Sequence, residues 1–300
     1  MSKLKRASRL LNATVLKKQT DYADDAIVIL FECAWALTNI VSGPSEYVEM
    51  VVKSDALRGL IRLLSSPSDD VRELAVLALG NIAGDSDSHR DTVLMEKALG
   101  PLLKLFNGPR LSMLRIATFT LFNLCRGKPR DVLPAFRVLS KLVFSDDKYV
   151  LPYACWALSF VFDGTKDLVN SFIVKGVCAR LLELLDQPLL DVQIPALCIV
   201  RNVVRGNKQC MIDHGLLDRL RTLLVADNEV LQREACRTIS DISLEIRLGE
   251  GSSLVLIDAN LIEPLIYVLS APGHSEGLRK VAGQAVLDVM ETGLRVWRGL

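Results

Sequence analysis

LALGN at 77–81, inside VRELAVLALGNIAGDS at 71–86, decides the fold because the chain keeps returning to it. WALTN (35–39), FTLFN (119–123) and WALSF (156–160) are close echoes, and CIVRN (198–202), RTISD (237–241) and QAVLD (284–288) are weaker ones. Their last residues, Asn39, Asn81, Asn123, Phe160, Asn202, Asp241 and Asp288, follow one another by 42, 42, 37, 42, 39 and 47 residues. Self-similarity at such a period marks a helical solenoid, in which each repeat contacts only its neighbours.

Outward from each echo the pattern is helical. VVKSDALRGLIRLL (51–64), VLMEKALGPLLKLF (93–106), FIVKGVCARLLELL (172–185), MIDHGLLDRLRTLL (211–224) and VLIDANLIEPLIYVL (255–269) place apolar residues at i, i+3, i+4 and i+7, the signature of amphipathic helices. Each reads as one continuous helix. Polar turns follow at 65–70, 107–110, 145–147, 186–188 and 226–228, where Ser, Asp or Asn can cap the next helix. Gly43, Gly84, Gly127, Gly164 and Gly206 trail the echoes and are expected to close them in the left-handed conformation.

The expected fold is therefore all-α, a right-handed superhelical solenoid of the HEAT and armadillo kind, each unit a short helix followed by two longer ones. One domain over 24–295 is expected, with about six to seven repeats, a poorly defined segment at 1–23 and a tail at 296–300. Residues 1–28 and TGLRVWRGL (292–300), with Trp297 as anchor, are expected to cap its ends. The short step to Phe160 predicts a trimmed first helix near Arg126 to Pro134, and the long step to Asp288 a surplus in LGEGSS (248–253). Pro152 is expected to kink or fray the helix before Trp156.

Composition sets limits on function. Half the chain is apolar but 6% is aromatic, so the core is aliphatic. A net charge of +1 offers no global attraction to nucleic acid, and no direct nucleic-acid partner is expected. Seven cysteines lie scattered without a CxxC pair, as buried free thiols do in a reducing compartment. Cys210 and His214, one turn apart, are too few to hold zinc, so neither metal nor cofactor is expected. Neither a secretory signal nor a membrane span is visible, since the apolar run at 26–37 is interrupted by Glu32. Three histidines, no nucleophile elbow and no phosphate loop speak against an enzyme. The expectation is a soluble intracellular protein.

Within each echo the first and fifth residues lie one above the other on a helix face. Stacked repeats turn them into two ladders. Asn amides carry donor and acceptor together and can grip the backbone of an extended peptide, while indoles form slots for Lys or Arg through cation–π contact. Trp, Leu and Phe at this spacing equally fit core packing. Asn recurring at one phase favours a binding ladder.

WALTNIVSG, VRELAVLALGNIAGDS, LSMLRIATFTLFNLCRGKP and ACWALSFVFDGT resemble the importin-alpha family, the armadillo adaptors that recognise nuclear localisation signals. The resemblance runs from about Phe31 to Asp288. It implies an adaptor for nuclear import, found in cytoplasm and nucleus, whose partners carry Lys/Arg-rich signals. Carried over by position, the major site holds Trp35, Asn39, Leu77, Asn81, Asp85, Phe119 and Asn123. Leu77 and Phe119 stand where the family has Trp, Asp85 matches the carboxylate for the deepest lysine, and Val48 replaces a threonine beside it.

An intermediate region keeps Trp156, Phe160 and Asn202, with Cys198 where the family has arginine. The minor site is degraded to Arg237, Asp241, Gln284 and Asp288: Arg237 repels cations, whereas the two aspartates attract them without gripping a backbone. The family's Arg/Lys-rich leader is not matched in the first 24 residues, so recruitment of importin-beta is not carried over. A truncated or diverged member is expected, lacking that segment, the first repeat and the last ones. The other function consistent with degraded ladders is a non-transport armadillo scaffold for another extended or helical protein.

Overall fold

A computed structural model describes residues 23–127, 130–162, 169–170, 176–248 and 254–299. Its regular elements are helical, with no strand among the described residues. The chain forms two compact units, residues 1–161 and 162–300, and each is described by itself.

The first unit opens with α1 (Ala23–Val41), which carries the first echo. Two three-helix repeats follow: α2 (Ser45–Val52), α3 (Ala56–Leu63) and α4 (Asp69–Asp85), then α5 (Asp87–Met95), α6 (Leu99–Leu105) and α7 (Leu111–Cys125). In the third, a 3-10 turn (Arg130–Ala135) replaces the first helix ahead of α8 (Phe136–Leu142) and α9 (Val150–Phe162). That is the trimmed helix expected from the short step. The echo helices α1, α4 and α7 pack side by side. Their cores are aliphatic: Leu37, Leu60, Leu79, Ile82, Leu121 and Leu124 are at most 1% exposed.

The second unit contains α10 (Val177–Leu185), α11 (Leu190–Asp213), α12 (Leu216–Leu224), α13 (Glu229–Leu248), α14 (Leu254–Asp258), α15 (Ile262–Ser270) and α16 (Glu276–Gly299). α11 is broken at Asn207, whose φ of −157° is not helical. Asn207 Oδ1 accepts from the Cys210 N–H at 3.1 Å and so caps the short helix that begins the next repeat. Ser86 does the same between α4 and α5, accepting from the His89 N–H at 3.2 Å. The expected turn caps are present at Ser68, Asp147 and Asn228.

Two sequence expectations are corrected. The amphipathic stretches at 51–64, 93–106, 211–224 and 255–269 are not continuous helices: each joins the end of one helix to the start of the next. A left-handed residue makes the joint in three of these four, Lys97 at φ 62°, Gly215 at 85° and Asn260 at 52°, while residues 172–175 of the stretch at 172–185 lie outside the described residues. Apolar periodicity survives this break because both pieces bury one side. Pro152 does not kink α9; after the Leu151 N–H bond to the Asp147 carbonyl it has no N–H for Lys148, so only the start of the helix is shortened, to Val150.

The glycines after the echoes need a third correction. Gly127 is left-handed at φ 76°, but Gly43, Gly84 and Gly206 are not, and Gly164 lies outside the described residues. Gly80 and Gly84 instead permit close helix contact. A Cβ on Gly80 would stand 2.5 Å from Thr120 Oγ1, and one on Gly84 would stand 3.0 Å from Asn123 Nδ2. The surplus expected in LGEGSS falls mostly on 249–253, and the expected end caps on residues 1–22 and the side chains of 294–300, all outside the described residues.

Candidate functional site

The close approach of α4 and α7 decides what the third asparagine does. Along α7 and its C-terminal cap residue, Thr120 Oγ1 donates to the Val76 carbonyl at 2.9 Å, Asn123 Nδ2 to Gly80 at 3.0 Å and Arg126 Nη2 to Gly84 at 3.0 Å. These side chains share one face, three residues apart, and staple two echo helices together. Asn123 is 3% exposed. The expected open rung at 123 is therefore a buried interhelical bond, because glycines at 80 and 84 let the helices close over it.

The first two echoes are different. Trp35 is 52% exposed, and Asn39, one turn on, is exposed with no side-chain partner among the described residues. Asn81 is half-buried and donates through Nδ2 to Ser42 Oγ at 3.0 Å, leaving its carbonyl oxygen to accept. Leu77 and Phe119 are half-buried. Val48, in place of the threonine, is 1% exposed and packs in the core.

Asp85 is not alone. Its Oδ2 accepts from Ser45 Oγ at 2.8 Å and faces His89 Nδ1 at 2.7 Å. His89 Nε2 meets Glu49 Oε2 at 2.5 Å, and Glu49 Oε1 pairs with Lys53 at 2.6 Å. Asn81–Ser42, Asp85–Ser45 and His89–Glu49 thus form three successive bonds, each spanning 39 or 40 residues. They zip the first echo repeat to the second.

His89 is buried. Burial alone disfavours its charge, but the hydrogen bonds to Glu49 and Asp85 outweigh it and raise the pKa above 6.5. The geometry agrees, since a neutral imidazole has one N–H for two carboxylates and the imidazolium has two. Lys53 first, then His89, holds Glu49 below the usual carboxylate range. With His89 charged, Asp85, Glu49, His89 and Lys53 sum to zero. His89 stands four residues after Asp85, and that one-turn spacing is the signal of the pair in the sequence.

Further along the unit lies an aromatic cluster. Phe119 meets Tyr153 edge-on at 5.4 Å, Phe122 lies 5.3 Å from Tyr153 and 6.1 Å from Phe160, and Trp156 stacks on Phe160 at 6.1 Å. Trp156 and Phe160 are half-buried, so both core and ligand readings retain a share of each ring. Phe122 and Tyr153 were missed because they lie outside the echo phase.

In the second unit Asn202 is half-buried without a side-chain partner among the described residues. Arg237 and Gln284 are exposed, while Asp288 is 8% exposed and accepts from Gln284 Nε2 at 3.2 Å. Asp241 Oδ2 accepts from Arg201 Nε at 2.8 Å and Arg205 Nε at 2.9 Å. The expectation that both aspartates draw cations is corrected: one is neutralised by two guanidinia and the other is buried. His214 Nδ1 lies 2.7 Å from the Cys210 carbonyl, and Cys210 Sγ is 2.8 Å from Cys178 Sγ.

The armadillo/beta-catenin-like repeat family matches residues 44–84 and 205–244. Importin subunit alpha-1b of Oryza sativa subsp. japonica is 46% identical over 255 residues, covering 82% of this chain and 47% of the relative. Importin subunit alpha-2 of Arabidopsis thaliana is 53% identical over 167 residues, covering 54% and 31%. Over four fifths of its length the chain is similar to importin-alpha subunits. It spans about half the length of the curated relatives it matches. A crystal structure of an engineered protein superposes with a TM-score of 0.79 at 24% identity, covering 96% of this chain and 68% of its own; it supports the fold alone. The fold is accordingly an all-α armadillo solenoid.

Proposed function

We propose that this chain is an importin-alpha-like adaptor whose first unit binds a Lys/Arg-rich nuclear localisation signal, and that it serves protein import between cytoplasm and nucleus. The observation that carries this reading is the surface made by Trp35, Asn39, Asn81 and Asp85: an exposed indole, two amides with unspent capacity and a carboxylate 15% exposed. An extended peptide laid across it would meet Asn39 and Asn81 with its backbone and Asp85 with a lysine. Such a charge-assisted bond in a partly dry groove contributes roughly 1.5–3 kcal/mol.

The site is weaker than a full ladder, because Leu77 replaces an indole, Asn123 is withdrawn and Asp85 already has two partners. Leu77 and Phe119 would supply apolar walls only, and Trp156 and Phe160 a second, weaker contact. Isothermal titration of a Lys-rich heptapeptide into the intact chain tests the reading. Asn39→Ala with Asn81→Ala should lower affinity at least about ten-fold. Burial of Asn123 favours a second reading, a scaffold holding some other extended or helical protein. Peptide affinity unchanged by the asparagine pair would favour that reading and count against the adaptor.

A further inference from the structure

The second unit carries a hollow of the opposite sign. Arg201, Arg237, Ser240, Asp241, Lys280 and Gln284, with the apolar Val281, line a depression of about 360 Å³. Three cations face one carboxylate there. Asp241 is already neutralised by Arg201 and Arg205, and the buried Glu234 accepts from Arg201 Nη1 at 2.8 Å and Arg237 Nη1 at 2.5 Å. Counting Arg205, Glu234 and Asp288, which contact lining residues, leaves a surplus of one positive charge, and Arg237 and Lys280 carry their charges at the surface.

Those charges are presented rather than hidden. Lys280 is exposed and has no partner among the described residues, and the Arg237 side chain is 45% exposed with one Nη bonded to Glu234. The acids beneath hold the guanidinia in place, so little side-chain freedom is lost when a ligand arrives. Between the cations stand neutral groups: the Ser240 hydroxyl, without a partner among the described residues, and the exposed amide of Gln284. Arg237 with Asp241 and Lys280 with Gln284 are i, i+4 pairs on α13 and α16, so the polar side chains form short rows along adjacent helices.

We infer that this hollow binds an acidic, extended peptide segment, with Asp or Glu carboxylates on Arg237 and Lys280 and peptide backbone on Ser240 and Gln284. Forked guanidinium donors match carboxylates, and the amide and hydroxyl match the peptide bond. Nucleic acid suits the site less: its affinity grows with the number of phosphates neutralised along a track, whereas here the surplus is local and interleaved with Glu234 and Asp241.

Fluorescence anisotropy of a labelled Glu-rich decapeptide with the intact chain, at low and at physiological salt, tests the inference. Saturable binding is expected, weakened about ten-fold by Arg237→Glu and similarly by Lys280→Glu, with unchanged helical circular dichroism. Asp85→Lys, in the other unit, should leave it unaltered. Should Arg237→Glu fail to fold, Lys280→Glu decides, since Lys280 holds no partner to lose. Absence of saturable binding by the unmodified chain, or binding indifferent to Lys280→Glu, overturns the inference. So does tighter binding of a uridine-rich RNA of equal charge that the same substitutions abolish.

Discussion

His89 Nδ1 lies 2.7 Å from Asp85 Oδ2, so the carboxylate proposed for a signal lysine already faces an imidazole. Glu49, on the other side of the ring at 2.5 Å, and Lys53 beyond it complete a neutral cluster when His89 is protonated. An incoming ammonium must displace or share that arrangement.

Raising the pH through the elevated pKa of His89 removes one positive charge and leaves the cluster at −1. A Lys-rich peptide, still charged, should then bind more tightly, by about five-fold for one screened unit charge. Titrations across neutral pH check this, and His89→Gln should flatten the dependence. Stability moves oppositely: the His89 contribution is complete below 6.5 and is lost as pH rises through the higher folded value.

Asn123 and Gly80 act as a pair in folding. Asn123→Ala leaves the Gly80 carbonyl without its second donor and should destabilise the chain by about 1–2 kcal/mol. Gly80→Ala forces a methyl to 2.5 Å from Thr120 Oγ1, an overpacking worth about 1–3 kcal/mol. Denaturant unfolding measures both.

Lys97 holds the left-handed joint that Gly215 holds in another repeat. A non-glycine residue there costs about 1–2 kcal/mol, partly offset by glycine's greater freedom when unfolded. Lys97→Gly should therefore stabilise by about 0.5–1 kcal/mol, read as a higher denaturation midpoint.

Asp147 joins two repeats, accepting from Arg115 Nη2 at 2.7 Å and from the N–H groups of Tyr149 and Val150. Arg115 chiefly, helped by those N–H groups, pulls its pKa to about 2. Its contribution is present above the unfolded value of 3.8 and lost as pH falls through about 2. Asp147→Ala should cost about 1–2 kcal/mol at neutral pH and progressively less in acid.

The solenoid was legible because its period and apolar faces recur, and those survive divergence of individual residues. The helix joints were not: Lys97, Gly215 and Asn260 sit inside apolar patterns that continue across them. Phase picks out the candidate rungs but carries no information on their exposure. Asn39 and Asn123 occupy the same echo position, yet one is open and the other buried, because Gly80 and Gly84 act on Asn123 from a helix about forty residues away. Likewise, neutralisation of Asp241 depends on Arg201 and Arg205, which no local pattern ties to it.

Affinity of a Lys-rich signal peptide for the unmodified chain and for Asp85→Lys, above the His89 pKa and at low salt, bears most directly on the adaptor reading. Saturable binding by the unmodified chain, reduced at least about thirty-fold by loss and reversal of one partly buried charge, is the expected result. No binding by the unmodified chain, or equal binding by both proteins, would contradict it.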